Sequence, residues 1–156
     1  MLHQDKHLVD FIAVNEGLRL KPYKDSEGVW TIGYGYNMEA HGIPAHLTRK
    51  ILEDKGITTA DAENLLLQEV AVSIKYAMEF FPEMSKFTRA RQFVCVDMLF
   101  NLGPTRFAKF RPTIDLMNAG DWKGAVERLK RTLWYKQVKT RAVRNCKMLL
   151  TGEFQS

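Results

Sequence analysis

Three residues near the N-terminus have types and spacing that suit one kind of chemistry. Glu16 is followed nine residues later by Asp25, and Thr31 comes six residues after that. Two carboxylates on different elements can face each other across a cleft. Cleavage of a glycosidic bond needs such a pair: one carboxyl protonates the leaving oxygen while the other serves the opposite face of the sugar. Glu16 is the candidate acid. The periodicity places it at the C-terminal end of a helix, whose partial negative charge disfavours a carboxylate, and a second carboxylate nearby acts in the same direction. Both influences are expected to raise its pKa, as suits a general acid. On spacing alone, the same residues would also serve as an ordinary helix-end acid and a turn aspartate.

The elements that must position them follow from the surrounding pattern. Apolar Leu8, Phe11, Ile12 and Val14 lie close to helical spacing, so a helix is expected over 5–16 with Gly17 as its stop. From Leu20 to Tyr36 the chain is rich in aromatic and β-branched residues punctuated by glycine, and Asp25-Ser26-Glu27-Gly28 has the residue choices of a type I turn. Strands on both sides of that turn make a small antiparallel sheet, irregular because of Pro22 and Gly33. A short helix is expected near 48–54. Thr58 offers an N-cap, with Asp61 three residues on, to a long helix over 61–81 that Pro82 ends. Further helices are expected over 88–100, closed by Gly103-Pro104, and over 112–119, 121–131 and 133–149.

Strands segregated from helices indicate an α+β fold, mainly α-helical. A small N-terminal antiparallel lobe (roughly 15–58) is joined by the long helix to a helical C-terminal lobe (roughly 59–156, with helix 1–14). Together they form one domain over 1–156. A cleft between lobes is the expected place for a ligand.

Other candidate motifs carry less. Gly33-x-Gly35 lacks a third glycine and a following helix, so it fits close backbone approach at a strand better than a dinucleotide fingerprint. His3 and His7 are four apart but have no third ligand, so no metal is expected. His41 and His46 are expected at the surface. Cys95 lies in an apolar run and is expected to be a buried free thiol, and Cys146 has no nucleophile constellation around it. No cofactor is implied.

Composition bounds the class. The chain has 156 residues, 46% hydrophobic and 26% charged, with 17 aromatics, so it can bury a core without staples and is not a disordered chain. Two cysteines are too few for a disulfide framework. No apolar run approaches the ~20 residues of a bilayer span, and charges at Asp5, Lys6, Asp10, Glu16 and Arg19 leave no signal-peptide core. The net charge of +5 is unevenly spread: residues 1–120 hold 14 basic and 15 acidic residues, a net of −1, whereas residues 121–156 hold 9 and 3, a net of +6. Such a surface favours a polyanionic partner. No base-reading motif accompanies it, so nucleic acid is not expected. An anionic cell wall fits, with salt screening the attraction.

The segment from Glu16 to Gly35 resembles the catalytic segment of phage-type lysozymes, glycoside hydrolase family 24. The pattern Glu-x8-Asp-x5-Thr sits inside Tyr-x-Asp-x-x-Gly-x-x-Thr-Ile-Gly. Residues 57–63, Met98-Leu-Phe-Asn-Leu-Gly103, and Trp134-Tyr-Lys-Gln137 with Arg141-Ala142 are similar to that family's long-helix start, cleft-lining helix end and C-terminal signature. The resemblance implies an endo-acting N-acetylmuramidase that opens the β-1,4 bond between N-acetylmuramic acid and N-acetylglucosamine with inversion. In it Glu16 would be the general acid, Asp25 would position or activate water, and Thr31 would hydrogen-bond that water. It implies Asn37, Phe100, Thr113 and Arg128 as glycan contacts, although Asn37 and Arg128 differ in type from the family's residues. Tyr36 also departs from the pattern, standing where the family has a histidine, so the ion pair made by that histidine has no counterpart at position 36.

The expected partners are peptidoglycan strands and a holin-like pore that releases a monomeric enzyme from the host cytoplasm to the wall. Two other readings stay open. One is a lytic transglycosylase on the same glycan. The other is a cationic amphipathic element over 121–147, with Trp122, Leu129, Leu133, Trp134 and Val138, acting on membranes.

Overall fold

The computed structural model describes residues 5–53 and 55–155. His3, and the expected helix end at Asp54, lie outside the described residues. Element order follows the α+β reading: helix, small sheet, then helices. The chain divides into two compact units, one up to Ala71 and one from Val72.

In the first unit, helix α1 (Lys6–Ala13) starts at Asp5, whose side chain accepts from the His7 and Leu8 amides. It ends three residues earlier than the periodicity suggests. Val14 and Asn15 no longer belong to the helix, and Asn15 turns back to donate Nδ2 to the Phe11 carbonyl at 3.1 Å. A side chain that satisfies a terminal carbonyl ends a helix. Strands β1 (Leu18–Lys24), β2 (Trp30–Tyr34) and β3 (Tyr36–Asn37) form an antiparallel sheet in the order β1-β2-β3. Next to the hairpin Tyr23 pairs with Thr31, but further along Arg19 pairs with Gly33, so the register shifts across Pro22. A residue with no N–H cannot serve the ladder there.

Short helix α2 (Met38–His41) and helix α3 (Ala45–Leu52) follow. The latter starts three residues before its expected place. Helix α4 (Thr59–Phe80) opens on a reciprocal cap: the Thr58 hydroxyl accepts from the Asp61 amide at 3.0 Å, and Asp61 accepts from the Thr58 amide at 2.9 Å. Gly33 is where sheet and helix meet, since a Cβ there would lie 3.3 Å from the Ala62 Cβ. The close approach expected of that glycine is therefore to a helix. Ile32, Tyr36, Leu47, Ile57, Ala62 and Leu65 form the core of this unit.

At its edge the Tyr36 hydroxyl donates to the Gly42 carbonyl at 2.9 Å, and its ring lies 5.6 Å from that of His41. His41 Nε2 meets the Glu69 carboxylate at 3.1 Å. A histidine–acid pair is thus present, supplied by position 41 rather than 36.

The second unit holds helix α5 (Arg89–Phe107), broken at Gly103, then α6 (Arg111–Asn118), α7 (Trp122–Leu129), α8 (Leu133–Val138) and α9 (Thr140–Thr151). The single helix expected over 133–149 is two helices, divided at Lys139, whose φ of +48° a continuous helix does not allow. Phe81, Phe93, Phe107, Met98, Ile114, Met117 and Leu129 are buried at its core, and Phe107 makes an edge contact with Phe80 at 5.1 Å.

Asp97, fully buried on α5, binds α9 from inside. Arg141 grips it through two bonds, at 3.0 and 2.8 Å, the Asn145 amide donates at 2.8 Å, and Arg144 reaches it at 3.4 Å. Arg91, also on α5, donates to the Leu149 and Leu150 carbonyls at 2.8 and 3.3 Å. A cation there suits the negative end of α9.

Two stability predictions follow from these pairs. Removing one partner of a buried ion pair leaves the other uncompensated and costs about 3–5 kcal/mol. Asp97→Ala should lose that much in urea unfolding, and a loss below about 1 kcal/mol would show that the network does not join α5 to α9. For Glu69, burial pushes the carboxyl above its ordinary value, and His41 pulls part of the way back. A carboxyl raised by folding contributes its stability below the unfolded-state value and loses it as pH rises through the folded value. Glu69→Gln should therefore gain on the parent in Tm as pH rises above the ordinary carboxylate range, and a flat or falling difference would contradict this.

Candidate active site

The hairpin that carries Asp25 is built by Asp25 itself. Its amide donates to the Val29 carbonyl at 3.0 Å and its carbonyl accepts from the Gly28 amide at 3.0 Å, closing the turn. Its Oδ1 accepts from the Glu27 and Val29 amides at 2.8 and 2.9 Å. One carboxylate oxygen is thus fixed by backbone, and a turn with these residues is the three-residue hairpin form. The second oxygen, Oδ2, has no hydrogen-bond partner among the described residues.

Thr31 is 4% exposed in β2, with Tyr23 opposite on one side and Asn37 on the other. Its hydroxyl donates to the Val29 carbonyl at 2.9 Å. With that proton committed, the oxygen can only accept from a further partner.

Glu16 lies past the end of α1, in the turn that leads to β1, where its amide donates to the Ala13 carbonyl at 2.9 Å. Its carboxylate rests against the corner between β2 and β3. A Cβ on Gly35, whose φ is +72°, would come within 2.8 Å of Glu16 Oε2. No side chain fits there. Two consequences of that one glycine, the left-handed backbone and the close approach, place the sheet's corner under the carboxylate.

Tyr23 ties these pieces together electrostatically. Burial raises its hydroxyl pKa, the Arg19 guanidinium over its ring at 4.5 Å lowers it, and the negative charges of Glu16 and Asp25 both raise it. The two carboxylates therefore bear on one phenol, which is also the cross-strand neighbour of Thr31. Tyr23 was not singled out from the sequence, but the signal was there. Counting back from the Asp25–Gly28 turn sets position 23 opposite 31, and period two sets it on the same face as 25.

Of the other expected site residues, Asn37 belongs to the same sheet as Thr31, and its Oδ1 accepts from the Ala40 amide at 2.8 Å to cap α2. Phe100 is half-buried on α5, Thr113 is buried on α6, and Arg128 is exposed at the end of α7. These three are held by the second unit.

The model of the family described as phage lysozyme matches residues 13–147. The chain belongs to the phage lysozyme family. It is 32% identical over 163 residues to the pre-baseplate central spike protein Gp5 of Enterobacteria phage T4, across 96% of this chain and 28% of that protein. It is 26% identical over 159 residues to probable T4-type lysozyme 1 of Dictyostelium discoideum, across 92% and 93% of the two. It is 28% identical over 117 residues to a SAR-endolysin of Bacteriophage PS119, across 74% and 62%. The chain thus spans just over a quarter of the spike protein and nearly all of the Dictyostelium protein.

The Gly35 contact is testable without any assay of activity. Gly120 has a similar φ of +78° but open space where a Cβ would stand. Gly35→Ala should cost more than the roughly 1 kcal/mol of a left-handed alanine, should exceed Gly120→Ala, and should move the ¹³C carboxyl resonance of Glu16. Equal losses at the two positions, with that resonance unmoved, would show that Glu16 does not rest on Gly35.

Proposed function

We propose that the protein is an endo-acting muramidase that hydrolyses the β-1,4 bond between N-acetylmuramic acid and N-acetylglucosamine in peptidoglycan. Membership of the phage lysozyme family supports the substrate. The observation that carries the chemistry is that Asp25 and Thr31 share one hairpin, whose sheet meets the Glu16 carboxylate at Gly35. Glu16 donates its proton to the glycosidic oxygen as the C1–O bond breaks. A water between Asp25 and the sugar gives its proton to Asp25 Oδ2 and attacks C1 from the opposite face, inverting the anomeric carbon. Thr31 accepts the water's second hydrogen, because its own proton is bound to Val29. Since Asp25 Oδ1 is committed to the turn, Oδ2 is held in place for that water without a lid or second anchor.

The glycan contacts proposed are Asn37, Phe100, Thr113 and Arg128. The enzyme works as a monomer, reaches the wall through a holin-like pore and lyses the host. The match to a spike protein over almost the whole chain supports a second reading, in which the same hydrolase opens the wall as part of a particle rather than as a free endolysin. Both readings share the catalytic residues.

Clearing of purified peptidoglycan tests the roles. Glu16→Gln should slow it by ~10²–10⁴-fold, the range for a positioned general acid. Asp25→Asn should also fall steeply, with Thr31→Val intermediate. Products should carry free reducing ends. Full clearing by Asp25→Asn together with 1,6-anhydro ends would replace hydrolysis with transglycosylation.

A further inference from the structure

A cavity of about 240 Å³ opens between α7, α8 and α9 in the second unit, and none of the residues proposed above for catalysis lines it. Its walls are mainly apolar: Val126 from α7, and Val143, Cys146 and Leu150 from one face of α9. Val143 and Leu150 stay 38% and 48% exposed, so the cavity reaches the surface. Cys146 lines it as a small hydrophobe. Burial, partly offset by the Lys130 charge, pushes its thiol up to about 11, which leaves it protonated and a poor nucleophile at neutral pH.

Two cations line the same space, Lys130 after α7 and Lys147 on α9. Among the described residues neither has a carboxylate within ion-pair distance, whereas Arg141 and Arg144 nearby in the chain are bound to Asp97. The surrounding segment 121–156 carries a net charge of +6. Apolar walls of this kind give water few hydrogen-bond partners, while the two ammonium groups attract an anion. A bare inorganic anion would leave the walls unused, and an uncharged alkyl chain would leave the lysines unused.

We propose that this cavity binds a single-chain anionic amphiphile, with its alkyl chain against Val126, Val143 and Leu150 and its anionic head between Lys130 and Lys147. A single-chain lysophospholipid of a membrane and a free alkyl phosphate share this chemistry.

Methyl NMR of the whole protein, titrated with dodecyl phosphate below its micelle concentration, tests it. Saturable shifts are expected at Val126, Val143 and Leu150. Dodecanol should bind at least tenfold more weakly, as should dodecyl phosphate to Lys130→Glu/Lys147→Glu, whose exposed substitutions leave the core untouched. Cys146→Met should block the cavity. Lysophosphatidylglycerol carried in phosphatidylcholine vesicles distinguishes the source: binding lost in the charge-reversed variant assigns a membrane lipid, and no vesicle binding beside dodecyl phosphate binding assigns a free amphiphile. The proposal is overturned if dodecyl phosphate gives no saturable shifts, if inorganic phosphate alone gives the same shifts, or if dodecanol binds equally well.

Discussion

The hydrolysis proposed for this chain depends on one carboxylate oxygen. Asp25 Oδ1 takes two backbone N–H groups of its own turn and so fixes both the hairpin and the direction of Oδ2. A side chain used in this way cannot be adjusted independently of the backbone. The turn sets the register, the register sets Tyr23 opposite Thr31, and Thr31 in turn is anchored to the Val29 carbonyl of the same hairpin. The geometry proposed for catalysis is therefore local: a handful of residues that fold together rather than a meeting of distant loops.

Glu16 is held by different means. It is not the last residue of a helix but stands in the turn after one, with its carboxylate against a glycine that has no Cβ. What fixes the surroundings of this carboxylate is steric. The β2–β3 corner must come close, and only glycine allows it. The close backbone approach expected of Gly33-x-Gly35 occurs at both positions: one glycine admits Ala62 of α4 and the other admits Glu16.

The hairpin, the cap of α4 and the break at Gly103-Pro104 were legible in the sequence, because turn and cap residues act through their nearest neighbours. Boundaries set by single side chains were less so. Asn15 ends α1 by reaching back to a carbonyl, and Lys139 divides the basic C-terminal region into two helices. The charge reading changed most. The +6 of residues 121–156 looked like surface, yet Arg141 and Arg144 turn inward to Asp97, a residue 44 positions before Arg141 that charge counting places in the other segment. Long-range pairing of this sort leaves no local pattern. The amphipathic stretch over 121–147 is not one element but parts of α7, α8 and α9, in which Leu129 and Trp134 are buried while Leu133 is exposed.

Glu16 and Asp25 are proposed to act on opposite faces of the sugar, with a water between the sugar and Asp25. Proton NMR of the first-formed product, recorded before mutarotation, tests it most directly. The new reducing-end N-acetylmuramic acid should appear as the α-anomer and only later equilibrate. A product that first appears as the β-anomer, with a sugar trapped on Asp25, would contradict it.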